Sequence, residues 1–484
     1  MINNGKKFPF FLLVLILPPY FSYAGWVKTF GGPNADYGDW VEQTSDKGFI
    51  VSGLLEVSPH PDRIHKVYLV KTDSLGDTLW TRTYLGEIQP SISTNGWCVQ
   101  PTLDKGYIIA GNDGLFGGCL VKTDSAGNLT WTRTYDSTVR AYGVRETEGG
   151  YVFTGDMGVV CNDTLAYALF LMKVDHDGDS LWRKVYGGMT GNAWDVGFSL
   201  QRTRDGGFIV TGAGPEGGLW ILRTNSLGDT LWSSLYKLGD DTMAFRGNCI
   251  EPTSDNGWII TGGYDYDVNT QGALLLMKID SLGDTLWTRV YDYSNAVDVG
   301  RSVKQTPDGG YIVTGDKDHS MVTDRGYLWL LRTDSLGDTL WTRSYGGIAN
   351  GKKDRGSCVQ LCPDGGYIIT GFSDSYSTDG SRDVMLMKTD SLGRVEGIEE
   401  EAQTSPVTWA PVNAIGHEIA LRYSGFPQGF KAHIYDALGC KVGVVTSNAS
   451  SDTVLWGREE NPGVYFVRVL TENGPQTLKV VLVR

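Results

Sequence analysis

Histidine is scarce in this chain. The six residues, at positions 60, 65, 176, 319, 417 and 433 of 484, are scattered rather than clustered. There is no nucleophile elbow and no zinc-binding helix motif, so the motif-defined hydrolases and metalloproteases find no support. The seven cysteines are an odd number and show no zinc-type spacing. Cys358 and Cys362 lie four apart on one expected strand, roughly 13 Å, too far to bridge. Positive charge is in deficit: 42 Lys and Arg against 56 Asp and Glu give a net charge of −14. With no basic patch, neither nucleic acid nor an anionic membrane is the natural partner. After residue 24 no apolar run is long enough to cross a bilayer.

What the chain has instead is a repeat. Thr333-Asp-Ser-Leu-Gly-Asp-Thr-Leu-Trp-Thr-Arg-Ser-Tyr345 is its cleanest copy, and the Trp recurs at 80, 131, 182, 232, 287 and 341, every 50 to 55 residues. A period of this size signals repeat architecture. Asp334-Ser-Leu-Gly-Asp338 sits between two apolar runs. Asp bonds its own downstream backbone and Gly takes the left-handed conformation, which predicts strand, turn, strand. A second fixed stretch precedes each copy, as in Val303-Lys-Gln-Thr-Pro-Asp-Gly-Gly-Tyr-Ile-Val-Thr-Gly315. Its equivalents end at Gly53, Gly111, Gly155, Gly212, Gly262, Gly315 and Gly371. Each period therefore holds four short strands, A to D. Strands B and C are apolar on both faces, as sandwiched strands are, and strand D carries the Thr and Arg of a protected edge. Cys98, Cys249 and Cys358 share one strand A position with Ser199 and Ser302, which reads as a tight buried slot rather than a disulfide framework.

Four-stranded sheets at this period read as blades of a β-propeller. The last period, from the turn at Asp390, lacks strand D, and an unattached copy, Trp26-Val-Lys-Thr-Phe30, stands at the start. The sequence thus predicts an all-β fold: a seven-bladed β-propeller closed by an N-terminal strand pairing antiparallel with residues 384–388. These repeats resemble the bacterial β-propeller repeat family, on Trp341 to Gly347 and Asp308 to Gly315. The resemblance covers residues 26 to 393 and implies a fold rather than an activity.

The ends differ from the middle. Residues 1–24 read as a secretory signal peptide: Lys6 and Lys7, a short apolar core over 10–16, then Ser22-Tyr-Ala24. Residues 25–397 form the expected propeller, 398–408 a polar linker, and 409–484 a small Ig-like β-sandwich with strands near 419–423, 431–435, 453–456, 464–470 and 477–483. Three segments of this tail occur in order: Ile434-Tyr-Asp-Ala-Leu-Gly439, then Pro462-Gly-Val-Tyr-Phe466 with Arg468, and Lys479 through the terminal Arg484. They resemble the sorting domain (type A) of the type IX secretion system, on Tyr435, Asp436, Gly439, Gly463, Tyr465, Lys479 and Arg484. That resemblance implies the secretion machinery as a partner. It also implies export across two membranes to the cell surface or medium of a double-membrane bacterium.

The A–B and C–D turns are nearly invariant within the chain and must share one rim. The B–C and D–A connections share the other and vary in length, which is where binding is usually placed. Candidate binding residues there are Trp194, Tyr264, Asp265, Tyr266, Asp267, Asp318, His319, Asp374 and Tyr376. Aromatic platforms beside carboxylates suit sugar or peptide, and the substitution-tolerant loops are expected to carry no packing role. Asp36, Asp195, Asp298 and Asp354 recur just before strand A and are read as ties for their own loops. Asp175-His-Asp-Gly-Asp179 imitates a calcium loop but has Gly at the fourth position and Tyr186 at the twelfth, so no cofactor is predicted, with calcium as the minor alternative. Gly212-Ala-Gly-Pro-Glu-Gly217 matches a dinucleotide fingerprint by letter but leads into a strand. The favoured reading is an exported, non-enzymatic binder of extracellular glycan, peptide or protein. A secreted polysaccharide hydrolase or lyase using rim carboxylates, and a structural surface component, are the alternatives.

Overall fold

The computed structural model describes residues 25–58, 64–85, 94–114, 117–161, 163–188, 194–237, 245–264, 272–291, 297–320, 325–346, 351–377, 380–396, 408–411, 415–424, 430–437, 440–447, 449, 452–471 and 474–483. The signal segment and most of the linker lie outside them. Among the described residues the chain is all-β apart from one 3-10 turn at Pro215–Gly217. Among the described residues no helix is long and apolar enough to cross a membrane.

Among the described residues between 26 and 389 there are seven blade-like sheets, each of four antiparallel strands. Sheet one is Tyr37–Gln43, Phe49–Ser58, Ile64–Thr72 and Thr78–Tyr84, and sheets two to six repeat this order along the chain. Sheet seven takes Asp354–Leu361, Tyr367–Ser373 and Asp383–Thr389 from the end of the series and Trp26–Phe30 from its beginning. Trp26 faces Lys388 and Phe30 faces Val384, the pairing the sequence predicts. The first strands of successive sheets lie side by side, and that of sheet seven returns to that of sheet one. Strands B and C are almost wholly buried, as in Phe208–Ala213 and Leu219–Thr224. Apolar clusters fill the spaces between neighbouring sheets, as with Ile50, Leu69, Val99 and Ile109.

The turns form for the reasons their residues suggest. In each C–D turn the Asp or Asn side chain accepts two backbone N–H bonds; Asp73 Oδ1 takes those of Leu75 and Asp77 at 2.8 and 2.9 Å. Gly76 closes the turn at φ +79°, a conformation cheap only for glycine. The basic residue that ends strand C reaches back to the A–B turn: Lys71 to Asp46 at 2.8 Å, Lys122 to Asp104 at 2.7 Å and Lys278 to Asp255 at 2.9 Å. Both fixed turns therefore occupy one edge.

Neighbouring sheets are stapled at that edge. Each repeat Trp lies on the turn glycine of the next sheet. A Cβ added to Gly127 would sit 2.7 Å from the Trp80 ring, and one added to Gly76 would sit 2.4 Å from Trp26. The Tyr at the end of strand D donates its hydroxyl to the carbonyl of the same glycine, as in Tyr84 to Gly127 at 2.6 Å and Tyr135 to Gly178 at 2.9 Å. Tyr186, Tyr236, Tyr291 and Tyr345 repeat the bond to Gly228, Gly283, Gly337 and Gly393.

The C-terminal unit has a three-stranded sheet of Thr408–Pro411, Ile419–Ser424 and Asp452–Trp456. Its second sheet has five strands: Ile415–Gly416, Gly474–Leu482, Gly463–Thr471, Phe430–Asp436 and Lys441–Ser447. Both share one core containing Leu421, Tyr423, Phe430, Ile434, Val467 and Val480. Asp436 Oδ1 accepts the N–H of Cys440 at 2.8 Å, and Tyr465 donates to the carbonyl of Asn461 at 2.7 Å. Gly463 opens one strand and Lys479 lies on another. Gly439 and Arg484 lie outside the described residues.

Candidate functional site

The site grows from a defect that every sheet shares. The first strand of each has a β-bulge at one position, where the register to strand B slips by a residue: between Gly38 and Trp40, Gly96 and Cys98, Ala141 and Gly143, Gly197 and Ser199, Gly247 and Cys249, Gly300 and Ser302, and Gly356 and Cys358. A bulge takes one residue out of the ladder and re-aims its side chain. The seven residues so placed are Asp39, Trp97, Tyr142, Phe198, Asn248, Arg301 and Ser357. All seven line a single cavity of about 290 Å³, together with Trp40, Trp194, Arg246 and Arg355.

The flanking residues make this possible. The Ser or Cys after the bulge is buried, with Cys98, Cys249 and Cys358 at 0 to 1 % exposure. Ser199 Oγ accepts the N–H of Ile250 and Ser302 Oγ that of Val359, each at 3.2 Å. At Ser199 and Ser302 the slot therefore joins one first strand to the next; in sheet one the same position holds Trp40 and in sheet three Gly143. The bulge residue between Gly and this slot is left free to vary, and it does, through acid, base, amide, hydroxyl and three aromatics.

The wall is divided by chemistry. Trp97, Tyr142 and Phe198 follow one another with ring centroids 5.6 and 5.4 Å apart, and Trp194 joins Phe198 at 6.4 Å. The opposite arc is cationic. Arg301 donates to both oxygens of buried Asp316 at 3.0 and 2.7 Å, and Arg355 pairs with the same carboxylate at 3.2 Å. Burial pushes the Asp316 carboxyl up, but Arg301 and Arg355 outweigh it and hold it well below the usual range. Arg246 lies over the Phe198 ring at 5.6 Å. Asp39 stands among these groups. Burial raises its carboxyl to about 7, against the pull of Arg355, Asn95 and Arg301. Two buried atoms of the wall, Asp39 Oδ2 and Trp97 Nε1, have no hydrogen-bond partner among the described residues.

Three residues further along the first strands, towards the fixed turns, lies a neutral polar layer. Gln100 and Gln360 donate to Glu42 at 2.9 and 3.0 Å; Arg145 donates to Gln201 at 3.1 Å, and Gln201 and Lys304 donate to Glu251 at 2.9 and 2.7 Å. Two acids and two bases balance. On the other side the cavity adjoins a groove of about 620 Å³ that shares Trp97 and Tyr142 and is lined by Ser137 of a variable connection and by Asn112, Arg140, Leu165 and Tyr167 near the strand ends beside the variable connections. The site therefore faces the variable edge.

The recurring acids before strand A are ties. Asp36 accepts from Gly32 and Glu56 at 2.6 and 2.8 Å, Asp195 from Gly188 at 2.7 Å, and Asp298 from Asp318 at 2.9 Å. Asp175 likewise accepts the N–H groups of Asp177 and Asp179 in an ordinary turn, and among the described residues no group of three or more candidate ligands could hold a metal ion.

Of the residues singled out from sequence, Trp194 lines the cavity. Tyr264 ends a strand, Trp258–Tyr264, and Asp265, Tyr266 and Asp267 lie outside the described residues. The expectation that the loop side chains carry no packing role needs correction. Asp374 is held by Arg382 at 2.8 and 2.9 Å. Tyr376 packs on a core cluster and accepts the N–H of Gly346 at 3.2 Å. His319 is 5 % exposed. Burial, with Lys353, Arg355 and Arg301 near it, lowers His319 to about 4 despite Asp316. Asp318 adopts φ +54° and is tied to Asp298. The physical reason is that several expected loops continue as paired hairpins, as where Gly150–Cys161 pairs with Thr164–Val174 to its tip. The bulge residues were missed, although the free letter between Gly and Ser or Cys was visible.

No family model matches the chain, and no curated protein matches it. Among solved structures it is similar to the WD40 domain of Neurospora crassa Pan2. The identity is 10 %, covering 74 % of this chain and 91 % of that one, with a TM-score of 0.47. It is similar also to PorZ, a surface component of the type IX secretion system of Porphyromonas gingivalis. Here the identity is 10 %, over 92 % of this chain and 74 % of that one, with a TM-score of 0.36. A protein of unknown function from Bacteroides caccae is 11 % identical over 61 % of this chain and 94 % of its own, with a TM-score of 0.37.

Proposed function

We propose that the chain is an exported seven-bladed propeller that binds an extracellular glycan, peptide or protein through its variable edge. In this reading its C-terminal unit is an Ig-like sorting domain for type IX secretion. One observation carries the binding role: a single cavity receives one side chain from each of seven sheets, at the bulge position of the first strand, where the residue differs in every sheet. A purely structural repeat has no need to diversify that position while keeping the residue before it Gly or Ala. An enzymatic reading gains less support, because Asp316, the carboxylate behind the wall, is committed to Arg301 and Arg355. The test is an array of glycans and peptides probed with the whole chain and with Trp97→Ala. Binding that disappears in the variant supports the reading. Binding that survives it, but is lost on substituting Arg204 at the fixed-turn edge, refutes it.

A further inference from the structure

Resting on that reading, we infer that the central cavity takes the terminal residue of a neutral glycan, an uncharged pyranose whose neighbours in the chain follow the adjoining groove. Two unanswered polar atoms select the ligand's groups. Among the described residues Trp97 Nε1–H has no acceptor and Asp39 Oδ2 has no donor. The indole of Trp40, also in the wall, donates to Glu42 at 2.8 Å. An ammonium group would answer Asp39 but offers Trp97 no acceptor, and a carboxylate would answer Trp97 but brings Asp39 no proton. A hydroxyl serves both, since it donates and accepts. The rings beside these atoms select what carries the hydroxyls. Trp97, Tyr142 and Phe198 follow one another round the wall, and an aromatic face attracts the C–H face of a pyranose. A peptide amide also donates and accepts, but it brings no such face. The guanidinium groups of the wall are engaged within the protein: Arg301 and Arg355 pair with Asp316, and Arg246 lies over Phe198. The groove calls for a neutral chain as well. Among its described lining residues Arg140 alone is charged, and it is paired with Asp156 and lies over the Tyr167 ring at 4.9 Å. The polar layer tied through Glu42 and Glu251 lies across the fixed-turn side, so the chain enters from the variable edge and ends in the cavity. A volume of about 290 Å³, at the small end for ligand sites, matches one sugar residue, and the groove of about 620 Å³ leaves room for others.

The test uses the full chain with neutral trisaccharides of gluco, galacto, manno and xylo configuration, and with trigalacturonate, trilysine and triasparagine, followed by ligand-observed NMR and tryptophan fluorescence. At least one neutral trisaccharide is expected to bind more tightly than trigalacturonate and than either peptide, by about tenfold. Asp39→Ala is expected to weaken that sugar about tenfold, and Trp97→Phe, which keeps a ring but removes the N–H, several-fold. Arg204→Gln should leave it unchanged. Trp97→Phe carries the test by itself if Asp39→Ala lowers the unfolding temperature. The inference is overturned if no neutral trisaccharide binds, if trigalacturonate or a peptide binds as tightly, or if sugar binding is unchanged in either Trp97→Phe or Asp39→Ala. In those cases a peptide or acidic glycan whose binding is lost in Trp97→Ala would leave the broader binding role standing.

Discussion

The tyrosine staple gives a prediction that can be worked through. Six strand D tyrosines donate to the turn glycine of the next sheet, and the seventh equivalent position, on the closing strand, is Phe30. Tyr345 is 1 % exposed and its bond to Gly393 is buried. Tyr345→Phe removes the donor without changing the ring, so the cost is the bond plus part of the desolvation of an orphaned carbonyl, about 1–2 kcal/mol. Phe30→Tyr does the reverse. Trp26 on the same strand already lies against Gly76, so the new hydroxyl meets the Gly76 carbonyl by the geometry of the other six, for a gain of about 0.5–1.5 kcal/mol. In a unit of this size each kcal/mol moves the midpoint by about 2 °C. The sites belong to different sheet junctions and the double variant should be additive within about 0.5 kcal/mol. Thermal unfolding of the full chain followed by circular dichroism reads both. If Tyr345→Phe is neutral and Phe30→Tyr is neutral or destabilising, the hydroxyls contribute nothing and only the Trp–Gly contacts join the sheets.

Three further outcomes are expected. Trp341 is half-buried, resting on the Gly393 turn with Arg343 5.8 Å over its face. Trp341→Ala should therefore cost about 2–4 kcal/mol in chemical denaturation, somewhat below a fully buried Trp; a change within about 0.5 kcal/mol would contradict the staple. Stability should depend on pH in two opposed limbs. Burial raises buried Asp36 to about 6 from 3.8, so its contribution is full below 3.8 and lost as pH rises through 6. Slight burial of Asp46 is outweighed by bonds from Lys71, Thr44 and Gly48, which lower it to about 2, so its contribution is present above 3.8 and lost as pH falls through 2. Asp36→Asn should flatten the upper limb in a melting-temperature series, and an unchanged slope would show that Asp36 is not its source. Deleting 409–484 should leave the seven sheets folded, since the two parts have separate cores, while retaining the protein inside the producing cell; normal export of the truncated chain would refute the sorting role.

Local chemistry settled a great deal of this molecule. Asp-Ser-Leu-Gly-Asp and Asp-Gly-Gly specify tight turns wherever they stand, because the bonds that make them run within five residues. Two turns per period then require four strands, and the missing strand after Asp390 required Trp26–Phe30 to supply it. The same held for the tail, where alternation marked Ile419–Ser424 and Gly463–Thr471. Lys441–Ser447 was not among the expected strands; its apolar residues Val442 and Val444 face outward and are exposed. The cavity lay beyond such reading. A bulge is a mismatch between two strands, so no single strand announces it. Nor can a sequence say that Asp39, Tyr142 and Arg301, far apart along the chain, meet at one axis. The fates of Asp374, Tyr376 and His319 were hidden for a related reason. A polar side chain at a rim is a ligand group or a structural tie according to whether a neighbour such as Arg382 or Gly346 stands within reach, and only the packing of one sheet against the next decides that.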